Sequence, residues 1–365
     1  MKTTRRVVII RPGALGDTLL AFPALAALRR TWPAAHVTLV ARADMLSLAR
    51  ASGLADTTAD YDLPVWARLW AGTAAGDPEL RAALAGADTI VAWVADPDTA
   101  VARGLRAVGA RRMVVAPGRP RTPVLCATST VPANASGAAV ETTEHAAAYL
   151  LHTLAPLGIV DAGGDLTEMP PLVVPTDARM EAAAMWDALG LGGPARVVVA
   201  LHPGSGGAAK CWPAERFANI ARGLAEAGWR PLLVEGPADG PVVARVLAGA
   251  GGVGVPVVRG VRVDVLAALL GRCAAYVGND SGVTHLAAMA GCPTLALFGP
   301  TDPAVWAPLG PHVRVLRAGE TGAVAVAATE SGGARRGGRA TDGAAMDGLS
   351  EETVWEALAA MLATA

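Results

Sequence analysis

The sequence predicts an α/β protein built as two consecutive halves, each a parallel sheet wrapped in helices. Three observations predict it. Short β-branched runs alternate with Ala- and Leu-rich helical stretches along both halves, the pattern of parallel strands joined by crossover helices. A stretch holding Pro170, Pro171 and Pro175 makes a stiff connector between them. The length, 365 residues, exceeds one ordinary core and suits two domains.

In the first half, residues 7–10, 37–40, 89–94 and 112–115 read as strands, and residues 24–30, 46–51, 78–84 and 100–108 as helices. Residues 143–157 read as a further helix that stops at Gly158. The second unit opens with a helix at 177–189. Strands then fall at 196–201, 231–234, 257–258, 275–277 and 294–298, and helices at 213–227, 241–248, 263–270 and 283–290. Two Rossmann-like halves of this kind place a cleft between the carboxyl ends of their sheets. The expected division is 1–172 for the first domain and 173–317 for the second. A mobile Gly/Arg-rich loop is expected at 318–349, and a final helix at 350–365 starts at Ser350 with Glu351 and Glu352 in its first turn.

Composition narrows the function classes. Hydrophobic residues at 52% and charged residues at 17% describe a globular chain. A net charge of −1 gives no electrostatic case for nucleic acid or for an anionic membrane. No apolar run is long enough to span a bilayer. The basic N-terminus before Val7 superficially suggests a leader, but Arg11 and Asp17 interrupt the apolar run, so a buried first strand is the expected reading. Cys126, Cys211, Cys273 and Cys292 are scattered without metal-like spacing, which fits a reduced cytoplasmic protein. Of 31 basic residues only Lys2 and Lys210 are lysine, so an interior lysine is unusual here.

Four segments carry chemistry. The first, Arg11-Pro12-Gly13-Ala14-Leu15-Gly16-Asp17, joins a strand to a helix, and Gly13 and Gly16 let a ligand approach the backbone. Asp17 has two compatible readings, a helix N-cap and a carboxylate that takes a proton from an acceptor hydroxyl. In the second, His202-Pro203-Gly204-Ser205-Gly206-Gly207-Ala208-Ala209-Lys210-Cys211-Trp212-Pro213, small residues turn backbone N–H groups toward a phosphate and Lys210 adds a point charge. A helix is expected to follow with Pro213 at its first position and Glu215 at its third. His202 reads equally as a ligand contact or as a buried histidine bonded to backbone. The third, Gly278-Asn279-Asp280-Ser281-Gly282-Val283-Thr284-His285, opens a helix whose free amides suit an anionic leaving group, or are simply capped by Asp280 and Ser281. The fourth, Phe298-Gly299-Pro300-Thr301-Asp302-Pro303, signals a turn.

Taken in order, these segments resemble glycosyltransferase family 9, the ADP-heptose heptosyltransferases, over nearly the whole chain. The most specific parts are Gly16-Asp17 with Pro23, Lys210-Cys211-Trp212-Pro213, Asn279 to Leu286, and Phe298 to Pro303. The resemblance implies a GT-B architecture, two Rossmann-like domains facing each other across a cleft. It implies inverting, metal-independent transfer of a sugar, with no cofactor, from a nucleotide-diphosphate donor such as ADP-heptose to a glycan or lipid-linked hydroxyl. It further implies Asp17 as general base, Lys210 on the diphosphate with Ser205 and Gly206 in the same loop, and Asp280, Ser281, Gly282 and His285 around the donor sugar and phosphates. Asp239 is the expected ribose ligand, with Glu235 competing, and Gly13 and Gly16 line the cleft. The implied setting is the cytoplasm, at or near the inner face of the membrane.

The region 318–349 departs from the family's pattern. The six arginines of residues 103–121 read as a solvated face or as a contact for a phosphorylated acceptor. Two rivals come from other classes. A nicotinamide oxidoreductase lacks its glycine fingerprint here. A non-catalytic sugar-nucleotide binder would need no base at Asp17. A third rival keeps the chemistry but moves another sugar, or the heptose, onto a secondary metabolite or another glycan.

Overall fold

The computed structural model describes residues 5–71, 77–120, 144–159, 172–192, 197–319 and 345–364. Pro170, Pro171, Cys126, Arg121 and most of the expected Gly/Arg-rich loop lie outside them.

The first sheet is β1 (Arg6–Ile10), β2 (His36–Ala41), β3 (Thr57–Asp60), β4 (Thr89–Trp93) and β5 (Arg112–Ala116), all parallel in the order 3-2-1-4-5. The second is β6 (Val198–His202), β7 (Arg230–Glu235), β8 (Val257–Arg259), β9 (Ala275–Asn279), β10 (Thr294–Phe298) and β11 (Val313–Arg317), parallel in the order 11-10-9-6-7-8. Counted from its own first strand, the second sheet has the doubly wound order 3-2-1-4-5-6.

The first half carries helices α1 (Leu15–Leu19), α2 (Phe22–Thr31), α3 (Leu46–Ala51), α4 (Pro64–Ala67), α5 (Pro78–Ala83), α6 (Ala100–Ala107) and α7 (Ala146–His152). The second half carries α8 (Thr176–Ala188), α9 (Ala214–Glu226), α10 (Gly240–Gly249), α11 (Val263–Leu270), α12 (Gly282–Met289), α13 (Pro303–Trp306) and α14 (Glu351–Leu362).

The central strands β4, β6, β9 and β10 are buried along their whole length, as helix-covered parallel sheets require. On β1, Val8 and Ile10 pack with Val40, Ile90, Ala92, Trp66, Leu80 and Leu105 on one side. Val7 and Ile9 face the other way, into a core that continues through α2, α7 and α8 to Ala200, Leu232 and Tyr276 of the second sheet. The opposite face of the second sheet, with Val199, Leu201, Val277 and Leu297, is closed by α9 and by Val354, Leu358 and Met361 of α14. Ser350 caps α14 by accepting the Thr353 N–H at 3.1 Å, as its position before two acids predicts.

Several local expectations differ from the structure. The helix expected at 143–157 shortens to α7 plus a 3-10 turn at Ala155–Leu157, because the Thr153 hydroxyl bonds the Leu150 carbonyl and Pro156 follows. Pro213 is the N-cap of α9, not its first residue, which puts Glu215 at the second position. The edge strands β3 and β11 are absent from the sequence reading. Thr57-Thr58-Ala59-Asp60 is short and polar, and β11 alternates valine with arginine because only part of it is buried.

Candidate active site

In each sheet the strand order reverses once, between β1 and β4 and between β6 and β9. Ligands of open α/β sheets bind outside the strand carboxyl ends at such reversals. The loop after β1, which leads into α1, and the loops after β6 and β9 therefore occupy the binding positions of their domains. These two positions meet, because α1 packs on α12. Glycines permit the approach. A methyl group at Gly16 would lie 2.9 Å from His285 Cδ2, and one at Gly282 would lie 2.7 Å from Leu15 Cβ and 2.9 Å from the Gly16 nitrogen. Gly282→Ala is expected to push the helices apart and to lower turnover by roughly 10–100-fold, since small misplacements at a reacting centre cost rates of that order. Steady-state kinetics on a variant with an unchanged circular dichroism spectrum checks this.

Asp17 sits at the third position of α1, not at its N-cap, which is Ala14. Alanine cannot cap, so the Asp17 carboxylate reaches back and accepts the Ala14 N–H at 3.1 Å. Gly13 clears its path, since a methyl there would lie 2.8 Å from Asp17 Cβ. Arg11, buried at the end of β1, donates to the Asp17 carbonyl from Nε and Nη2 at 3.1 and 2.9 Å. Its Nη2 also lies 3.6 Å from Asp17 Oδ1. Burial pushes the Arg11 pKa down and the Asp17 charge pulls it back up. The Asp17 side chain remains 36% exposed, which leaves it able to meet a substrate.

The facing wall is organised by Asn279, fully buried at the end of β9. Its Oδ1 accepts the Trp212 N–H at 3.0 Å, and its Nδ2 donates to the carbonyls of Pro203 and Gly204 at 2.9 and 3.3 Å. One amide thus pins the Lys210–Trp212 end and the Gly204 end of the same loop. Lys210 Nζ donates to Asp280 Oδ2 at 2.8 Å, Thr301 Oγ1 donates to the same oxygen at 2.7 Å, and Ser205 Oγ donates to the Asp280 carbonyl at 2.6 Å. Asp280 is buried while the Lys210 side chain stays 35% exposed, so the ammonium is anchored at one side and open at the other. Ser281 is the N-cap of α12 and accepts the Thr284 N–H. Gly206, next to Ser205, is exposed, and nothing lies within 4 Å of where a methyl group would stand on it. A loop of small residues, an ammonium and a helix N-terminus together make a wall whose chemistry suits an anion.

His285 lies buried behind this wall. Burial lowers its pKa to about 4; Asp280 and Asp17 oppose the shift, while His145 and Lys210 add to it. The interaction with both Asp17 and Lys210 shows the two domains' charged groups converging on one imidazole. His145, ahead of α7, is half-buried, desolvation lowers its pKa, and its Nε2 donates to the Ala307 carbonyl of the second half at 2.9 Å. Both histidines fold neutral. Their stability contribution is full above the unfolded value near 6.5 and is lost as pH falls toward the folded value, about 4 for His285. Thermal melts from pH 7.5 to 4.5 should therefore show stability falling by up to roughly 3 kcal/mol across that window. A flat profile between pH 6.5 and 4.5 contradicts neutral burial.

Asp239 is placed differently from the expectation. It is buried, accepts the Gly236 N–H at 2.9 Å and meets His202 Nε2 at 3.0 Å. The carboxylate presses on Gly204, where a methyl group would lie 2.1 Å from Cγ. The Asp239 side chain is 11% exposed, and both of these hydrogen bonds fall on Oδ2. Glu235, at the end of β7 and 3.7 Å from Arg259 Nη2, remains the acid at the sheet's carboxyl edge. His202 is buried as one of its two readings held, but bonds the side chains of Asp239 and Ser281, not backbone. The described arginines of residues 103–121 are all exposed, and Arg103 bonds the Asp98 carbonyl and the Thr99 hydroxyl.

Among the described residues no group of three or more His, Cys, Asp or Glu side chains is arranged to hold a metal ion. Sequence reasoning missed Arg11, Asn279 and Thr301 as organisers of the site. Arg11 had a signal, an arginine directly after an apolar strand; Asn279 and Thr301 act through partners more than twenty positions away or through backbone, which no local pattern reveals.

Two facing parallel-sheet domains with their switch points apposed define the GT-B class, and solved structures share it. The chain is similar to the glycosyl transferase family 9 structure from Veillonella parvula DSM 2008, with a TM-score of 0.74 and 21% identity over 100% of this chain and 99% of that one. It is similar to E. coli ADP-heptose lps heptosyltransferase II, with a TM-score of 0.70 and 19% identity over 98% and 99%. Residues 167–331, somewhat under half of the chain, match glycosyltransferase family 9 (heptosyltransferase). Lipopolysaccharide heptosyltransferase 2 of Escherichia coli K12 is 32% identical over 127 residues, 33% of this chain and 36% of the relative. Lipopolysaccharide heptosyltransferase 1 of Pseudomonas aeruginosa PAO1 is 37% identical over 106 residues, 29% of each. The match thus spans about a third of the length of these relatives.

Proposed function

We propose that the protein is an inverting, metal-independent glycosyltransferase that moves heptose from ADP-heptose to a hydroxyl of a lipopolysaccharide-type core. The observation that carries this reading is the apposition of α1 and α12, which sets a half-exposed carboxylate, Asp17, opposite an anion-binding wall headed by Lys210 and Ser281. Transfer needs both. The attacking hydroxyl is a weak nucleophile, and Asp17 removes its proton as the bond to the anomeric carbon forms. The departing nucleoside diphosphate gains charge, which Lys210 and the amides at the head of α12 stabilise. Base and leaving-group site lie on opposite domains, so the acceptor attacks from the side opposite the diphosphate and the anomeric configuration inverts. Glu235 is the residue we assign to the ribose.

The acceptor is approached from the first domain, where Gly13 and Gly16 leave room beside Asp17. Among the described residues no helix is long and apolar enough to cross a membrane; a lipid-linked acceptor would be met at the membrane's inner face.

The test is release of ADP from ADP-heptose with a heptose-free lipopolysaccharide core as acceptor, with the product's anomeric configuration read by NMR. Acceptor-dependent release with inversion supports the reading; release independent of acceptor, or retention, contradicts it. Excess chelator is expected to leave the rate unchanged within about twofold, since the Lys and helix dipole supply the charge that a divalent cation supplies elsewhere. Loss of activity on chelation, restored by metal, would contradict metal independence.

A further inference from the structure

Behind the anion wall three side chains from adjacent strand ends form a line. Asp239, on the turn between β7 and α10, meets His202 Nε2 at 3.0 Å; His202 Nδ1 lies 3.2 Å from Ser281 Oγ at the head of α12. His202 is 3% exposed, so both ring nitrogens are supplied by protein. Counting hydrogens fixes most of the line. The Asp239 carboxylate only accepts, so Nε2 carries a hydrogen. The Thr284 hydroxyl donates to the Asn279 carbonyl, so the Tyr276 hydroxyl, 3.0 Å away, donates to Thr284 Oγ1. That oxygen's own hydrogen being used, Thr284 cannot also donate to Ser281, which it approaches at 3.1 Å.

One choice is left. With a neutral imidazole, Nδ1 is an acceptor and the Ser281 hydrogen must point inward to it. With a hydrogen on Nδ1, the ring donates to Ser281 Oγ, and the hydroxyl hydrogen is released from the ring to point to Thr284 Oγ1, 3.1 Å away, or outward. Only the second state offers a donor to an anion in front of α12. The charged and titratable groups around the ring are few. Asp239 faces it directly, Asp280 beside Ser281 is held by Lys210, and Cys211 and Tyr276 interact with Asp239, with Arg245 acting on Cys211.

We propose that Asp239 and His202 are positioning residues that aim the Ser281 hydroxyl. A diphosphate arriving at the head of α12 accepts the Ser281 O–H, and His202 takes one proton from solvent onto Nδ1 and donates it to the serine oxygen. Asp239 supports the resulting imidazolium. The inference rests on the donor site proposed above and assigns Asp239 to aiming a hydroxyl in place of holding the ribose.

Calorimetric titration with ADP, in several buffers of different ionisation enthalpy at one pH, measures protons exchanged on binding. Proton changes on ADP itself are common to all variants and cancel in the difference. Wild type is expected to take up about one proton more per ADP than His202→Gln, with Asp239→Asn and Ser281→Ala resembling the glutamine variant. His202→Gln should also raise the KM for donor by about tenfold while kcat falls less, whereas mere loosening of the fold would lower the melting temperature without changing the proton count. Equal proton counts in wild type and a folded His202→Gln variant, with ADP bound by both, overturn the relay and leave the nucleotide site standing. Failure of wild type to bind ADP overturns the site itself and the relay with it.

Discussion

Asp17→Asn is expected to reduce turnover by about 10²–10⁴-fold, the range for loss of a positioned general base, while leaving the fold intact. The argument is local. Asparagine keeps an oxygen that accepts the Ala14 N–H, so the start of α1 stays closed. Arg11 keeps its two bonds to the residue-17 carbonyl, which do not involve the side chain. What disappears is the negative charge 3.6 Å from the Arg11 guanidinium and the capacity to accept a proton. Donor affinity should change little, because Asp17 belongs to the opposite domain from the diphosphate wall. Steady-state kinetics, paired with ADP titration and circular dichroism, separates these outcomes. Turnover within a few-fold of wild type would remove Asp17 from the role of base.

Lys210→Ala is expected to weaken ADP binding by about 1.5–3 kcal/mol, the range for a hydrogen bond to a charged group, or roughly 10–100-fold in Kd. The change has a second consequence. Asp280 is buried and takes both Nζ of Lys210 and the Thr301 hydroxyl on one oxygen. Without the ammonium a buried carboxylate keeps only a neutral donor, so the melting temperature should fall as well. Lys210→Arg supplies charge on a longer planar group and should recover stability more fully than affinity, because a point charge and a fork approach a diphosphate differently. Unchanged ADP affinity in the alanine variant would contradict the role on the diphosphate.

Much of this molecule could be read from its sequence. Residues 7–10 of β1, 275–277 of β9 and 295–298 of β10 are apolar runs, because parallel strands covered on both faces have no polar side to show. The helices α3 and α11 match their apolar spacing residue for residue. The edge strands β3 and β11 escaped because their half-exposed residues include threonine, aspartate and arginine where a central strand keeps valine. The candidate site was legible as four segments, each where a strand hands over to a helix.

The pairings inside that site were not legible. That the acid four residues past Glu235 turns inward to His202 depends on Gly204 leaving a space for its carboxylate, a fact of three dimensions. That Asn279 ties together two ends of one loop depends on an amide 67 positions from Trp212. The capping of α1 from its third position, in place of its first, follows from Ala14 having nothing to cap with.

The most direct measurement of the central claim is calorimetric titration of the purified protein with ADP, UDP, GDP and NAD, without added metal. Tight binding of ADP over the other three, lost in Lys210→Ala, is the predicted result. Preference for UDP or GDP would contradict the assignment of an ADP-linked donor, and binding of NAD alone would contradict the glycosyltransferase account as a whole.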